Sequence, residues 1–107
     1  MDVDSSALMR LPDINSYQFS AYGLEQVKLH EKGRDWPVVY LIHNASELYV
    51  GETTSACNRF SQHLANPDRN RLELIEIVFD DAFNKSAVLD IEQTLIKLFA
   101  ADNSMTL

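Results

Sequence analysis

The chain lacks the residues of an oxidised scaffold or a zinc site, since it has one cysteine, Cys57, in 107 residues. A lone thiol cannot form an internal disulfide, and His30, His43 and His63 are too scattered to complete a zinc site with it. Glycine and proline are also scarce, with three of each. This composition excludes a loop-rich, disulfide-stapled fold and favours one globular domain with one core.

Long apolar runs and basic charge are likewise missing. No stretch approaches the roughly 20 apolar residues that cross a membrane, and the first residues include acids where a signal peptide carries bases. We therefore expect a cytoplasmic protein with no membrane partner. The net charge of −7 disfavours nucleic acid as a partner, because phosphate binding depends on lysine and arginine. A local basic rim is still compatible with it. Its candidates are Lys28, Lys32, Arg34, Arg59, Arg69 and Arg71.

Hydrophobic periodicity predicts an α+β fold, an α/β sandwich in which helices flank a small three-stranded antiparallel sheet. Strands are expected at 38–43, 48–52 and 72–79, and helices at 24–32, 56–65 and 86–101. Residues 1–35 are expected to form a lead-in with a short helix that Gly33 closes in a left-handed conformation. Residues 36–107 are expected to form the main domain, as a fragment of a longer polypeptide.

The first two strands are separated by so short a segment that they must form an antiparallel hairpin. A loop of either two or four residues places Tyr40 and Tyr49 on the same face of the ribbon, whereas an odd loop separates them. On the following helix, Arg59 and His63 are one turn apart. Paired tyrosines and an arginine–histidine pair are common as packing or as a solvated face. Only their combination points to a site.

Glu92 is the most unusual residue of the last helix. On a wheel of about 100° per residue it falls inside the apolar arc. The arc consists of Val88, Leu89, Ile91, Leu95, Ile96, Leu98 and Phe99. A carboxylate on that side is costly to desolvate unless it meets a cation or hydrogen-bond donors. Two interpretations stay open, a buried ion pair with an arginine such as Arg59 and a metal ligand.

The strings Val38-Val39-Tyr40 and Tyr49-Val50-Gly51, followed by helix residues Arg59 and His63 and by Glu92 on a later helix, resemble the GIY-YIG nuclease family. The similarity covers about residues 36–103, and Asn103 matches an asparagine near the end of several members. One position departs from the pattern, since Val38 stands where the family usually has glycine.

The resemblance implies an endonuclease that hydrolyses nucleic-acid phosphodiester bonds, with DNA as the expected substrate. It implies one divalent metal, Mg²⁺ or Mn²⁺, held by Glu92, with Arg59 on the phosphate and Tyr40 or Tyr49 activating water. A tyrosine is a weak base near neutral pH, so it needs a proton acceptor such as His63. The expected catalytic residues are Tyr40, Tyr49, Arg59, His63 and Glu92.

Residues 83–92 further resemble a subgroup whose nuclease module precedes a helicase-like ATPase in one polypeptide. An ATPase domain is therefore the expected C-terminal partner. Residues expected to bind nucleic acid are Arg59, Lys85 and Asn103. Two other classes compete with the nuclease hypothesis. One is a non-cleaving module that binds nucleic acid or a neighbouring domain, and the other is a structural adaptor in which Glu92 forms an ordinary ion pair.

Overall fold

A mixed sheet-and-helix architecture is present, but its sheet has four antiparallel strands rather than the expected three. The computed structural model describes residues 12–102. The strands are β1 (Asp13–Gln18), β2 (Val38–His43), β3 (Leu48–Thr53) and β4 (Leu74–Phe79), in the order β1-β4-β2-β3. The two central strands are β4 and β2, which explains why they are the most apolar.

The missed strand, β1, pairs along its whole length with β4, from Asp13 opposite Phe79 to Gln18 opposite Leu74. It is an edge strand in which four of the six side chains are exposed and four are polar. Strand patterns in sequence depend on a buried face, which β1 provides only weakly. Its position is instead set by the free hydrogen-bonding edge of β4.

Three helices complete the described part of the chain: α1 (Ala21–Leu29), α2 (Ala56–Leu64) and α3 (Lys85–Asp102). Two of them begin at side-chain caps, because the Ser20 hydroxyl accepts from the backbone of α1 and the Asn84 side chain accepts from that of α3. Every expected helix is therefore found, with shifted ends. Among the described residues, none of these helices has the length and apolarity needed to cross a membrane.

The expected role of Gly33 is wrong. Helix α1 ends earlier, at His30 in an extended conformation, and Gly33 is not left-handed. A Cβ on Gly33 would lie 2.1 Å from the carbonyl oxygen of Val27. Glycine is needed here because the chain returns tightly against the helix it has just left.

The hairpin between β2 and β3 confirms the even-loop prediction. His43 is opposite Leu48 and Ile42 is opposite Tyr49, so four residues, 44–47, connect the strands. Since side chains alternate between faces, Tyr40 and Tyr49 lie on the same face. The Asn44 side chain accepts from the backbone N–H groups of Ser46 and Glu47, which holds the turn.

Helices α1 and α2 cover the face of the sheet that carries Tyr40, and the main core lies between them and the strands. Its largest fully buried side chains include Tyr40, Phe60, Phe79, Ile42, Ile75 and Ile77. Helix α3 contacts β3 and β2 and buries Val88 completely, but it leaves Leu98 60% exposed. The apolar arc predicted for this helix is thus only partly covered.

Candidate active site

Tyr40 lies at the centre of the candidate site and is completely buried. Its ring fills the space that Gly51 leaves on the neighbouring strand, where a Cβ would lie 2.4 Å from both Cζ and Oη of Tyr40. The ring also meets the edge of Phe60, with centroids 4.9 Å apart and planes at 87°. The absence of a side chain at Gly51 therefore directs the Tyr40 hydroxyl across β3.

The Tyr40 hydroxyl is 2.8 Å from Nε2 of His63. Burial raises the pKa of Tyr40, and the charges of Tyr49 and Glu92 add to this effect while Arg59 opposes it. Burial also lowers the pKa of His63 to about 4, helped by the charges of Arg59 and Arg69. At neutral pH a protonated tyrosine thus faces an unprotonated imidazole, to which it is placed to donate.

Tyr49 extends this pair toward solvent. Its ring centroid is 4.9 Å from that of His63 and 6.3 Å from that of Tyr40. Tyr49 is only partly buried, whereas His63 is 8% exposed. The two tyrosines and the histidine therefore form one aromatic cluster that runs from the core to the surface.

Arg59 lies on α2, one turn before His63, and is partly buried. Its charge lowers the pKa values of both Tyr40 and His63, so the guanidinium lies within electrostatic reach of their hydrogen bond. Helical spacing produces this arrangement, because residues four apart share a face. The site thus combines an inner phenol–imidazole pair with a permanent cation.

Glu92 lies on α3 and is partly buried. Its negative charge contributes to the raised pKa of Tyr40, which places the carboxylate within electrostatic range of the Tyr40 hydroxyl. Its hydrogen-bond partner is the side-chain amide of Gln93, at 3.5 Å. Within residues 12–102, the ion pairs formed do not include Glu92, either with Arg59 or with another arginine, although the structural interpretation expected such a pair.

Glu92 would supply a protein carboxylate to a metal. Across the part of the chain that the structure describes, there is no group of three or more histidine, cysteine, aspartate or glutamate side chains suited to a metal. Mg²⁺ often binds through one or two carboxylates and completes its octahedron with water and substrate phosphate oxygens. A partly exposed Glu92 that forms no ion pair with a described residue fits such a site and does not fit an all-protein cage.

Of the two remaining residues expected to bind nucleic acid, only Lys85 is described, and it forms an ion pair apart from this cluster. The ammonium group of Lys85 is 2.7 Å from a carboxylate oxygen of Glu52, so it links the start of α3 to β3. Asn103 lies outside the described residues. The sequence marks Arg69 only as one of six candidate rim cations, although its guanidinium lies 4.2 Å from the Tyr49 ring centroid. Arg69 lies in a loop, where no helical or strand periodicity predicts which side chains come together.

Comparisons with protein-family models, with curated proteins and with solved structures find no match to this chain. The case for a function therefore depends on the residues of this site and on their geometry.

Proposed function

We propose that the protein is a metal-dependent endonuclease of the GIY-YIG type that hydrolyses nucleic-acid phosphodiester bonds, with DNA as the first substrate to test. The observation that carries this proposal is the 2.8 Å hydrogen bond between Tyr40 and an unprotonated His63, beside Arg59 and within range of Glu92. Phosphodiester hydrolysis needs a water activator, a cation for the phosphoryl oxygens and stabilisation of the leaving oxygen. The cluster offers a candidate for each.

Tyr40 and His63 provide a route for the proton of the attacking water. As the water oxygen bonds to phosphorus, its proton passes to the Tyr40 oxygen and the Tyr40 proton passes to Nε2 of His63. The bond from phosphorus to the leaving oxygen breaks, and the alkoxide takes a proton from solvent. Because the pKa of His63 is about 4, the imidazole holds the proton briefly and returns it to water.

Arg59 would bind the phosphoryl oxygens as negative charge grows on them, because a guanidinium keeps its charge and can bind two oxygens at once. Glu92 would hold Mg²⁺ or Mn²⁺, which supplies charge for the phosphoryl and leaving oxygens when bound. Tyr49 would lie at the solvent side of the site, since it is more exposed than Tyr40. An ATPase domain in the same polypeptide stays a prediction of the same resemblance, and a cytoplasmic location stays a prediction of the sequence pattern.

The test is cleavage of labelled DNA and RNA substrates by the wild type, by Glu92→Gln and by Asp90→Asn. Asp90 is an exposed acid on the same helix, so its amide variant makes the same change in charge. We expect Glu92→Gln to lower cleavage to the level that a chelator gives, because an amide loses the charge that binds a hard cation. Asp90→Asn should cleave like the wild type, and both variants should melt near the wild-type temperature.

Cleavage that persists in chelator would contradict the metal requirement. Equal cleavage by wild type and Glu92→Gln would contradict the assignment of the ligand.

The second candidate is a module that binds nucleic acid without cutting it. It is favoured by the complete burial of Tyr40, whose hydroxyl a water molecule must reach for the reaction above, and by the net charge of −7. Binding of the same substrates without cleavage, in magnesium and in manganese, would select this function over the nuclease.

A further inference from the structure

Arg69 differs from the neighbouring Arg71 although both lie in the connection between α2 and β4. Arg71 binds the Glu47 carboxylate with two nitrogens, at 2.7 and 2.5 Å, and donates to the Asp68 carbonyl at 2.7 Å. Its donors are therefore used within the protein, and the Glu47 charge is already matched. Arg71 thus ties the loop before β4 to Glu47, the residue just before β3.

Arg69 has far fewer partners. Its Nη1 donates to the Asp68 carbonyl at 3.4 Å, its Nε is buried without an acceptor, and it forms no ion pair with a described residue. A buried guanidinium nitrogen without an acceptor is costly. An anion would bind the outer guanidinium nitrogens, of which Nη1 has only a long bond to the Asp68 carbonyl.

The position of Arg69 links it to the site. Its guanidinium packs on the face of Tyr49, 4.2 Å from the ring centroid, and Tyr49 packs on His63. Its charge also contributes to the low pKa of His63, together with that of Arg59. A guanidinium stacked on an aromatic ring has its plane fixed and its edge available for an oxyanion.

We propose that Arg69 binds a backbone phosphate of the nucleic acid adjacent to the phosphate that Arg59 contacts, with Tyr49 as the platform that orients it. This proposal rests on the proposed function, and it adds a substrate contact that the sequence did not separate from the other rim cations. Arg59 would act on the reacting phosphate and Arg69 would set the register of the strand. Two cations on one side of the domain would also give a locally positive surface that binds phosphate although the total charge is negative.

The experiment measures binding without cutting, with fluorescence anisotropy of a labelled DNA duplex and a labelled single strand in chelator, over a series of salt concentrations. We expect Arg69→Ala to weaken binding about tenfold, the usual effect of removing one charged hydrogen bond. The slope of log K against log salt should fall by about 0.9 on duplex DNA, because the variant neutralises one phosphate fewer. Arg69→Lys should recover the slope but only part of the affinity, since an ammonium group lacks the stacked fork.

Lys97→Ala is the matched control, because it removes an exposed cation of α3 that belongs neither to the candidate site nor to the candidate rim, and it makes the same change in charge. Its affinity should stay within about twofold of the wild type, well short of the tenfold weakening expected for Arg69→Ala. Equal weakening by Arg69→Ala and Lys97→Ala would overturn the proposal while leaving the nuclease function in place. Failure of the wild type to bind either probe and to cleave in magnesium would overturn both.

Discussion

A histidine lies against each face of the sheet and is within hydrogen-bond distance of one side chain, but the two pairs have different surroundings. On one face, His63 is buried and lies 2.8 Å from the Tyr40 hydroxyl. On the other, Nε2 of His43 lies 3.0 Å from a carboxylate oxygen of Glu76, and both side chains are about one quarter exposed. The Ser16 hydroxyl donates to the same carboxylate.

Similar bond lengths therefore support different chemistry. His63 is surrounded by aromatic rings and by two arginine charges, which favour its neutral form and make it an acceptor. His43 faces a carboxylate and water, and Ser16 bonds to Glu76 rather than to the imidazole, so these three residues do not form a nucleophile–base pair. Burial and neighbouring charge, more than residue type, distinguish a candidate active site from a surface ion pair.

The largest effect should come from removing the Arg59 guanidinium beside His63, and it should be seen in the rate of cleavage. Arg59→Ala should slow single-turnover cleavage about a hundredfold, because lost stabilisation of a developing oxyanion costs on the order of 3 kcal/mol. His43→Gln on the other face should leave the rate unchanged. Arg59→Ala that cleaves normally, or a His43→Gln variant that is equally slow, would remove the distinction between the faces.

The next largest effect should be a loss of stability in acid that depends on His63 and not on His43. The pKa of His63 in the folded protein, about 4, is below its ordinary value of 6.5, so the unfolded chain takes up this proton first as the pH falls. Stability is then lost between about pH 6.5 and 4, by on the order of 3 kcal/mol for the whole shift. Urea unfolding at several pH values measures this slope.

The slope should persist in His43→Gln and flatten in His63→Gln. An unchanged slope in His63→Gln would show that other groups cause the loss of stability in acid.

A smaller effect is expected from filling the space beside Tyr40. Gly51→Ala would place a Cβ 2.4 Å from the Tyr40 ring, which Phe60 holds on another side. Overpacking of this kind costs about 1–3 kcal/mol. Ser16→Ala on the opposite, exposed face should change stability by less than about 0.5 kcal/mol. Thermal and urea unfolding would measure both, and a neutral Gly51→Ala would mean that the Tyr40 ring is free to move.

Local patterns were enough to predict several features of this protein. The hairpin parity followed from the count of residues between two apolar runs, and the register of β2 with β3 confirms it. The helices followed from apolar spacing, with errors at their ends, where capping groups such as Ser20 decide the boundary. The shared face of Arg59 and His63 followed from helical geometry alone.

Tertiary structure decided the rest. Strand β1 has too few buried residues to be predicted from its pattern, and it forms because β4 offers an unpaired edge. The Tyr40–His63 hydrogen bond joins residues on two different elements, and the stacking of Arg69 on Tyr49 depends on how a loop returns over the sheet. The sequence determined which side chains share a face of a helix or hairpin, because backbone geometry fixes the distances within such an element. Distances between elements, and with them burial and the pKa of His63, are set only when the core packs.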